Sequence, residues 1–175
     1  MPFNLDSALS GLEVPSDIRT SLQVVSVPFL SFSGEEQTGE LIVHADLAEE
    51  VIAIFDELLA QRFPIEKIVP MPVYGWDDEK AMADNNTSAF NYRVIYGTQK
   101  LSNHSFGRAI DINTRINPYI ARDGSLHPKN AVYDPTIAGT FVKGGPAVDA
   151  FLSRGWEWGG DWMDRKDWQH FEKPL

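Results

Sequence analysis

Leu47, Val51, Ile54, Phe55, Leu58 and Leu59 recur at the helical period, with Glu49, Glu50, Asp56 and Glu57 on the other face. This predicts an amphipathic helix over 46–61 whose opening acids suit the positive end of the helix dipole and which Pro64 stops. Its acidic face is expected to be solvated. Upstream, 22–32 is rich in Val and Phe around Pro28 and reads as an edge strand or two short strands. A turn over 33–39 and a strand over 40–44 would complete a hairpin. Residues 1–21 read as an irregular lead-in.

Downstream, the pattern predicts short strands at 66–71, 90–96, 109–113 and 168–172, and short helices at 76–85 and 147–153. The stretch 122–145 is rich in loop residues. Ala109–Asn113 alternates cleanly, with Ile110 and Ile112 on one face and Asp111 on the other. Strands and helices do not alternate regularly, and no repeat is visible. One α+β domain follows, with a central antiparallel sheet and flanking helices, rather than a doubly wound fold. Residues 1–60 form an acidic region expected to pack on the same domain as 61–175.

Charge sharpens that division. Residues 1–60 carry eleven acids and a single base, Arg19, whereas 61–175 balance fourteen acids with fourteen bases. Such a chain is a poor partner for nucleic acid or anionic lipid, where affinity depends on neutralising phosphates. There is no cysteine, which excludes disulfides, zinc–thiolate sites and cysteine nucleophiles. Any metal must be held by His and carboxylates. The opening residues Met1–Asp6 lack the features of a signal peptide, and 22–32 is far short of the ~20 apolar residues a membrane span needs. No membrane insertion is expected, and localisation stays open.

The chemistry-bearing residues lie in the second half. His104 precedes the strand that carries Asp111, whose carboxylate must face solvent, a partner or a metal, since burying it alone is costly. Asp167 lies three residues before His170. Two histidines and an aspartate would give a three-ligand zinc site with a fourth position open, although no local H-x-x-x-H signature supports it. The alternative is a chance proximity of surface residues. No G-x-S-x-G elbow surrounds Ser102 or Ser105, so nothing indicates a serine nucleophile. His127 in its loop and His44 at a strand end read as ordinary surface or structural residues, the former within reach of a cleft. Trp156, Trp158 and Trp162 near Gly159-Gly160 read either as core packing or as a cleft wall. Glu172 follows the strand parity of His170 and is a second candidate base.

The block Ser102-x-His104-x-x-Gly107-x-Ala109-x-Asp111, followed by Asp167-x-x-His170, resembles the zinc peptidases of the D-alanyl-D-alanine carboxypeptidase and L-alanyl-D-glutamate peptidase family. These VanY-like enzymes cut the peptide part of bacterial cell wall. The likeness extends through 86–93, Asn113, 117–119, 155–162 and 169–172, or roughly 61–175. It implies a Hedgehog/D-Ala-D-Ala-peptidase-like fold and one zinc ion on His104, Asp111 and His170. It further implies Asp167 as general base and Arg93 as the cation facing the developing oxyanion. Gly107 and Ala109 would be small where the chain packs around the metal. Ser102, with Trp158 and Trp162, would support the ligands or line the cleft.

One departure bears on substrate. Carboxypeptidase and dipeptidase branches usually carry Glu-x-x-His, whereas the endopeptidase-like branch commonly has the aspartate found here. The resemblance therefore implies hydrolysis of a peptidoglycan stem peptide next to a D-amino acid, of the L-alanyl-D-glutamate endopeptidase type. The alternatives are a D-alanyl-D-alanine carboxypeptidase or dipeptidase, or an inactive cell-wall-binding module of the same fold. Retention of Asp167 and Arg93 argues against the last.

Overall fold

A computed structural model describes residues 4–174. The part of the lead-in reading that falls on residues 1–3 lies outside them. From residue 4 the lead-in is more regular than expected, with short helices α1 (Leu5–Ala8) and α2 (Ser16–Ser21). Asn4 caps α1 by accepting a hydrogen bond from the Ser7 amide.

The expected hairpin is present. β1 (Leu22–Leu30) pairs antiparallel with β2 (Glu36–His44), in a register that sets Leu22 opposite His44 and Leu30 opposite Glu36. His44 ends β2 structurally, as its Nδ1 accepts from the Asp46 amide and opens a single 3₁₀ turn. Helix α3 (Ala48–Ala60) follows and buries Val51, Ile54, Phe55 and Leu58 in the same core as the β1 residues Val25 and Val27. Its acidic face is not simply solvated. Glu50 receives bonds from Lys173 Nζ and Trp156 Nε1, and Glu57 pairs with Arg154. The helix is thereby tied to the C-terminal third of the chain.

Beyond it, β3 (Lys67–Ile68), α4 (Asp78–Ala83) and β4 (Asn86–Thr87) form a short crossover, in which β3 and β4 run parallel. The remaining elements are β5 (Ala109–Asp111), β6 (Tyr119–Ile120), β7 (Leu126–His127), α5 (Pro146–Leu152), β8 (Glu157–Trp158), β9 (Lys166–Asp167) and β10 (His170–Glu172).

The mixed α+β architecture with antiparallel pairing and flanking helices is as expected, but the single central sheet is not. The strands divide into β1-β2, β3-β4, β5-β10-β8 and β7-β6-β9. Two- and three-residue strands joined by Gly/Pro-rich loops lack the length to build one continuous sheet. Residues 90–96 form no strand. Their pairing is limited to an isolated bridge between Val94 and Leu101.

Two of these small sheets position the site. In β5-β10-β8, one face carries Ile110, Phe171 and Trp158 into the core, where Phe171 stacks on Phe151 at 3.9 Å between ring centroids. Strand alternation then turns Ala109, Asp111, His170 and Glu172 to the opposite face. Buried apolar residues of β1, β2 and α3 share one hydrophobic core with Ile110 of β5 and Phe171 of β10.

Candidate metal centre

The β5–β10 register places His170 directly opposite Asp111 and Glu172 opposite Ala109. Directly opposed side chains on one face have Cβ atoms only about 4.5–5.5 Å apart, so the pairing itself brings the two candidate ligands together across 59 positions. Asp111 is held from its other side by a reciprocal backbone pair with Ser88. Its companions Ile110 and Ile112 are fully buried in the core.

His104 arrives from a 3₁₀ turn, Asn103–Phe106. Ser102 begins that turn by accepting a hydrogen bond from the His104 amide, and Gly107 ends it at φ +64°. A Cβ on Gly107 would stand 2.5 Å from the His44 amide nitrogen and 2.7 Å from the Val43 carbonyl carbon. Glycine is thus needed here both for its backbone angle and for the close approach to β2. The expectation that Gly107 makes room around the metal is corrected, since it makes room for the end of the hairpin. Ala109 is fully buried and leaves space for the Glu172 side chain across the strands.

Three buried donors then converge. His104 Nε2 lies 3.1 Å from Asp111 Oδ2 and 3.2 Å from His170 Nδ1, and His170 Nδ1 lies 2.8 Å from Asp111 Oδ1. Tetrahedral ligands at zinc bond lengths are separated by about 3.3 Å, so the donor set fits a single ion. The outward ring atoms agree. His104 Nδ1 donates to the Ala89 carbonyl at 2.5 Å, and His170 Nε2 donates to Glu172 Oε2 at 2.9 Å. With those protons placed outward, two imidazole lone pairs and a carboxylate face one point. Such a set requires a cation. His104, Asp111 and His170 form the one cluster among the described residues with metal-ligating geometry.

Without a metal, a proton must fill that role. Burial opposes charge on His170, but its hydrogen bonds to Asp111 and Glu172 prevail and push it up to about 10. Burial likewise opposes ionisation of Asp111, yet the adjacent His104 and His170 hold its carboxyl well below the usual carboxylate range. Metal uptake must therefore expel the His170 proton. We expect about one proton released per metal bound at pH 7, with affinity rising as pH increases toward 10. Titration calorimetry in buffers of different ionisation enthalpy reads this directly.

The role of Glu172 was not legible as such in the sequence. Burial raises its carboxyl, but His170 and the Asn103 amide, 2.7 Å away, bring it down to about 2. It is an ionised acceptor that orients His170, with both partners fixed, and not a free second base. Glu172→Ala is expected to weaken metal affinity by about 10–100-fold, measured by competition with a chelator.

The donors open into a cavity of about 550 Å³ that also takes in Arg93, Tyr119, His127, Trp162 and Asp167. Asp167 Oδ1 is buried and has no hydrogen-bond partner among the described residues. Burial pushes its carboxyl up, and the nearby Asp111 adds to this against the pull of His170 and Arg93, reaching about 7. Gly159 makes the placement possible, because a Cβ there would meet Asp167 Cβ at 2.7 Å and its carbonyl oxygen at 2.6 Å.

Arg93 is fixed by Ser105, whose hydroxyl donates to the Arg93 carbonyl and accepts from its amide. Its Nη2 pairs with Asp78 at 2.9 Å, while its buried Nε has no partner among the described residues. The side-chain amide of Gln169, on the same cavity, is likewise buried without a partner among the described residues. Orphaned buried polar atoms are rare, and four on one cavity mark a site built to bind a polar group. Ser105 was weighed in the sequence only as a nucleophile and Asp78 not at all, because their contacts with Arg93 cross between loops with no periodic pattern.

The tryptophans divide. Trp162 lines the cavity, its ring centroid 5.4 Å from that of His170 and covered by the Arg165 guanidinium at 4.1 Å. Trp158 does not reach the cleft. It is buried in the core with Nε1 donating to the Trp168 carbonyl, since strand alternation turns it to the Phe171 face. Trp156 is buried too. His127 does border the cleft, where Nδ1 pairs with Glu79 at 2.6 Å.

No curated protein and no solved structure matches the chain. A family model described as D-alanyl-D-alanine carboxypeptidase matches residues 96–173, a shorter span than the motif likeness suggested, which includes His104, Asp111, Asp167, His170 and Glu172 but stops short of Arg93.

Proposed function

We propose that this chain is a zinc-dependent peptidase that hydrolyses an amide bond next to a D-amino acid in peptidoglycan stem peptides, of the L-alanyl-D-glutamate endopeptidase type. Its place of action would be the bacterial cell wall. The observation that carries the reading is the convergence of three buried donors beside an unpartnered buried carboxyl in one cavity. Similarity to the D-alanyl-D-alanine carboxypeptidase family supports the substrate class.

His104, Asp111 and His170 would hold the metal. A bound zinc ion supplies Lewis acidity, which polarises a substrate carbonyl and makes water easier to deprotonate. One carboxylate offsets only half of its charge, so the centre stays cationic. Asp167 accepts the proton from the attacking water and passes it to the leaving amine, with Oδ1 free to do so. Burial raises the Asp167 carboxyl, while a cationic centre beside it would favour the ionised form that can accept a proton. Arg93, locked by Ser105 and Asp78, presents its remaining donors where negative charge develops on the carbonyl oxygen. Trp162 walls the cleft and limits water beside His170.

The choice of bond rests on the aspartate of Asp167-x-x-His170. Removal of a terminal D-alanine is the second reading, favoured by the description of the matched family. Digestion of purified stem peptides, with mass spectrometry of the products in the presence and absence of chelator, separates the two. Release of L-alanine-terminated fragments that chelator abolishes is the expected result. Loss of one D-alanine establishes the second reading, and intact peptides refute both.

A further inference from the structure

The sheet β7-β6-β9 contains a row of which the hydrolytic chemistry above uses only one end, Asp167. Tyr119 on the central strand lies opposite His127 on one side and opposite Asp167 on the other. Directly opposed residues share a face, so His127, Tyr119 and Asp167 stand side by side, and all three line the cavity. Strands are spaced by about 4.8 Å, so Tyr119 is one step and His127 two steps beyond Asp167.

Each member of the row is held in place. The Tyr119 ring stacks on His127, with centroids 5.9 Å apart and planes inclined by 29°. His127 is braced by Glu79 through Nδ1 and by Ser125 through Nε2. Glu79 belongs to the first turn of α4, whose neighbouring Asp78 grips Arg93 across the cleft. The Tyr119 hydroxyl, by contrast, makes no hydrogen bond to another described residue. Burial first, and the Asp167 carboxylate next, push the phenol up, so it keeps its proton at neutral pH. A rigid aromatic donor with an unused hydroxyl thus stands one strand spacing past the carboxyl assigned to proton transfer.

We propose that Tyr119 is a substrate-binding residue, donating its phenol hydrogen to an acceptor oxygen (carbonyl or carboxylate) on the residue released as the amine product. The assignment rests on the hydrolase reading above. The spacing fits, because one residue of extended peptide advances about 3.3 Å, so an oxygen next to the leaving nitrogen comes within reach of a group one step past Asp167. His127 serves as a positioning residue that fixes the ring.

The test pairs a protein change with a substrate change, using the zinc-loaded enzyme and two stem peptides. In one peptide the released residue is complete, and in the other it is replaced by the simple amine lacking the carbonyl or carboxylate. Tyr119→Phe keeps the ring and its stacking while deleting one hydroxyl. We expect kcat/KM on the complete peptide to fall about three- to tenfold, carried by KM, which is the net value of one hydrogen bond. On the truncated peptide the penalty should vanish. Binding of a non-hydrolysable phosphinate analogue of the complete peptide, measured by calorimetry, should weaken by the same factor. An equal penalty on both peptides, or no penalty on either, overturns the role of Tyr119 while leaving the hydrolase reading intact. If the parent enzyme cleaves neither peptide and binds no analogue, the hydrolase reading falls and the subsite falls with it.

Discussion

Replacing Asp167 with alanine is expected to lower turnover by ~10²-fold or more while metal content stays near one per chain. The side chain is not among the three converging donors, so its loss leaves the ion's ligands in place. Its backbone belongs to the β6–β9 ladder, opposite Tyr119, and that pairing does not depend on the carboxyl. The substitution removes a buried acceptor that no hydrogen bond satisfies, so little folding stability is at stake. What disappears is a carboxyl with an unpartnered buried oxygen in the cavity beside the donors. Arg93→Ala should also cost ~10²–10³-fold, as expected for a donor aimed at a developing oxyanion. Arg93→Lys should recover little, because a flexible point charge cannot reproduce a guanidinium locked by Asp78. Peptide hydrolysis paired with metal analysis checks all three variants. Near-full activity in Asp167→Ala would remove it as the base, and Glu172, whose Oε2 is held by His170 and Asn103, would be the next residue to test.

His104→Ala should have the largest effect, with metal content near zero and hydrolysis below detection together. The loss removes one of three donors, and a pair consisting of Asp111 and His170 alone retains no comparable site. The Ala89 carbonyl also loses the ring proton that now satisfies it. Circular dichroism distinguishes the site defect from unfolding. The Ser102–Gly107 turn is fixed by its own cap and by packing on the end of β2, both independent of the imidazole, so the spectrum should be unchanged. Retained metal with lost activity would mean that His104 acts otherwise than as a ligand.

Much of this site was legible before any coordinates, for a physical reason. Alternation in Ala109–Asn113 turns Asp111 away from Ile110 and Ile112, and a carboxylate so placed must find a positive partner. The helix around Val51, Ile54, Phe55 and Leu58 was equally plain, because its period persists over several turns, whereas the hairpin before it was legible only in part, since β2 begins at Glu36, inside the stretch read as a turn. Two- and three-residue strands carry no period, which is why the division into several small sheets and the unpaired stretch at 90–96 were not foreseen. Trp158 and Trp162 look alike in sequence, yet Trp158 ends a strand on its core face, whereas Trp162 follows the next 3₁₀ turn and lies beside the cleft. Glu172 had the right parity to approach the site, but whether it would act as a base or as an orienting carboxylate depends on its distances to His170 and Asn103. Those distances are tertiary. The bracing of Arg93 by Ser105 and of Asp167 by the bare backbone of Gly159 is likewise set by loop packing rather than by any pattern along the chain.

The most direct test of the account is a zinc titration into chelator-stripped protein, with bound metal and stem-peptide hydrolysis measured on the same samples. The account predicts that both rise together and saturate at one zinc per chain, and that neither rises in His104→Ala. Hydrolysis by the stripped parent protein at the full rate would contradict it, as would zinc uptake by His104→Ala with the parent's stoichiometry.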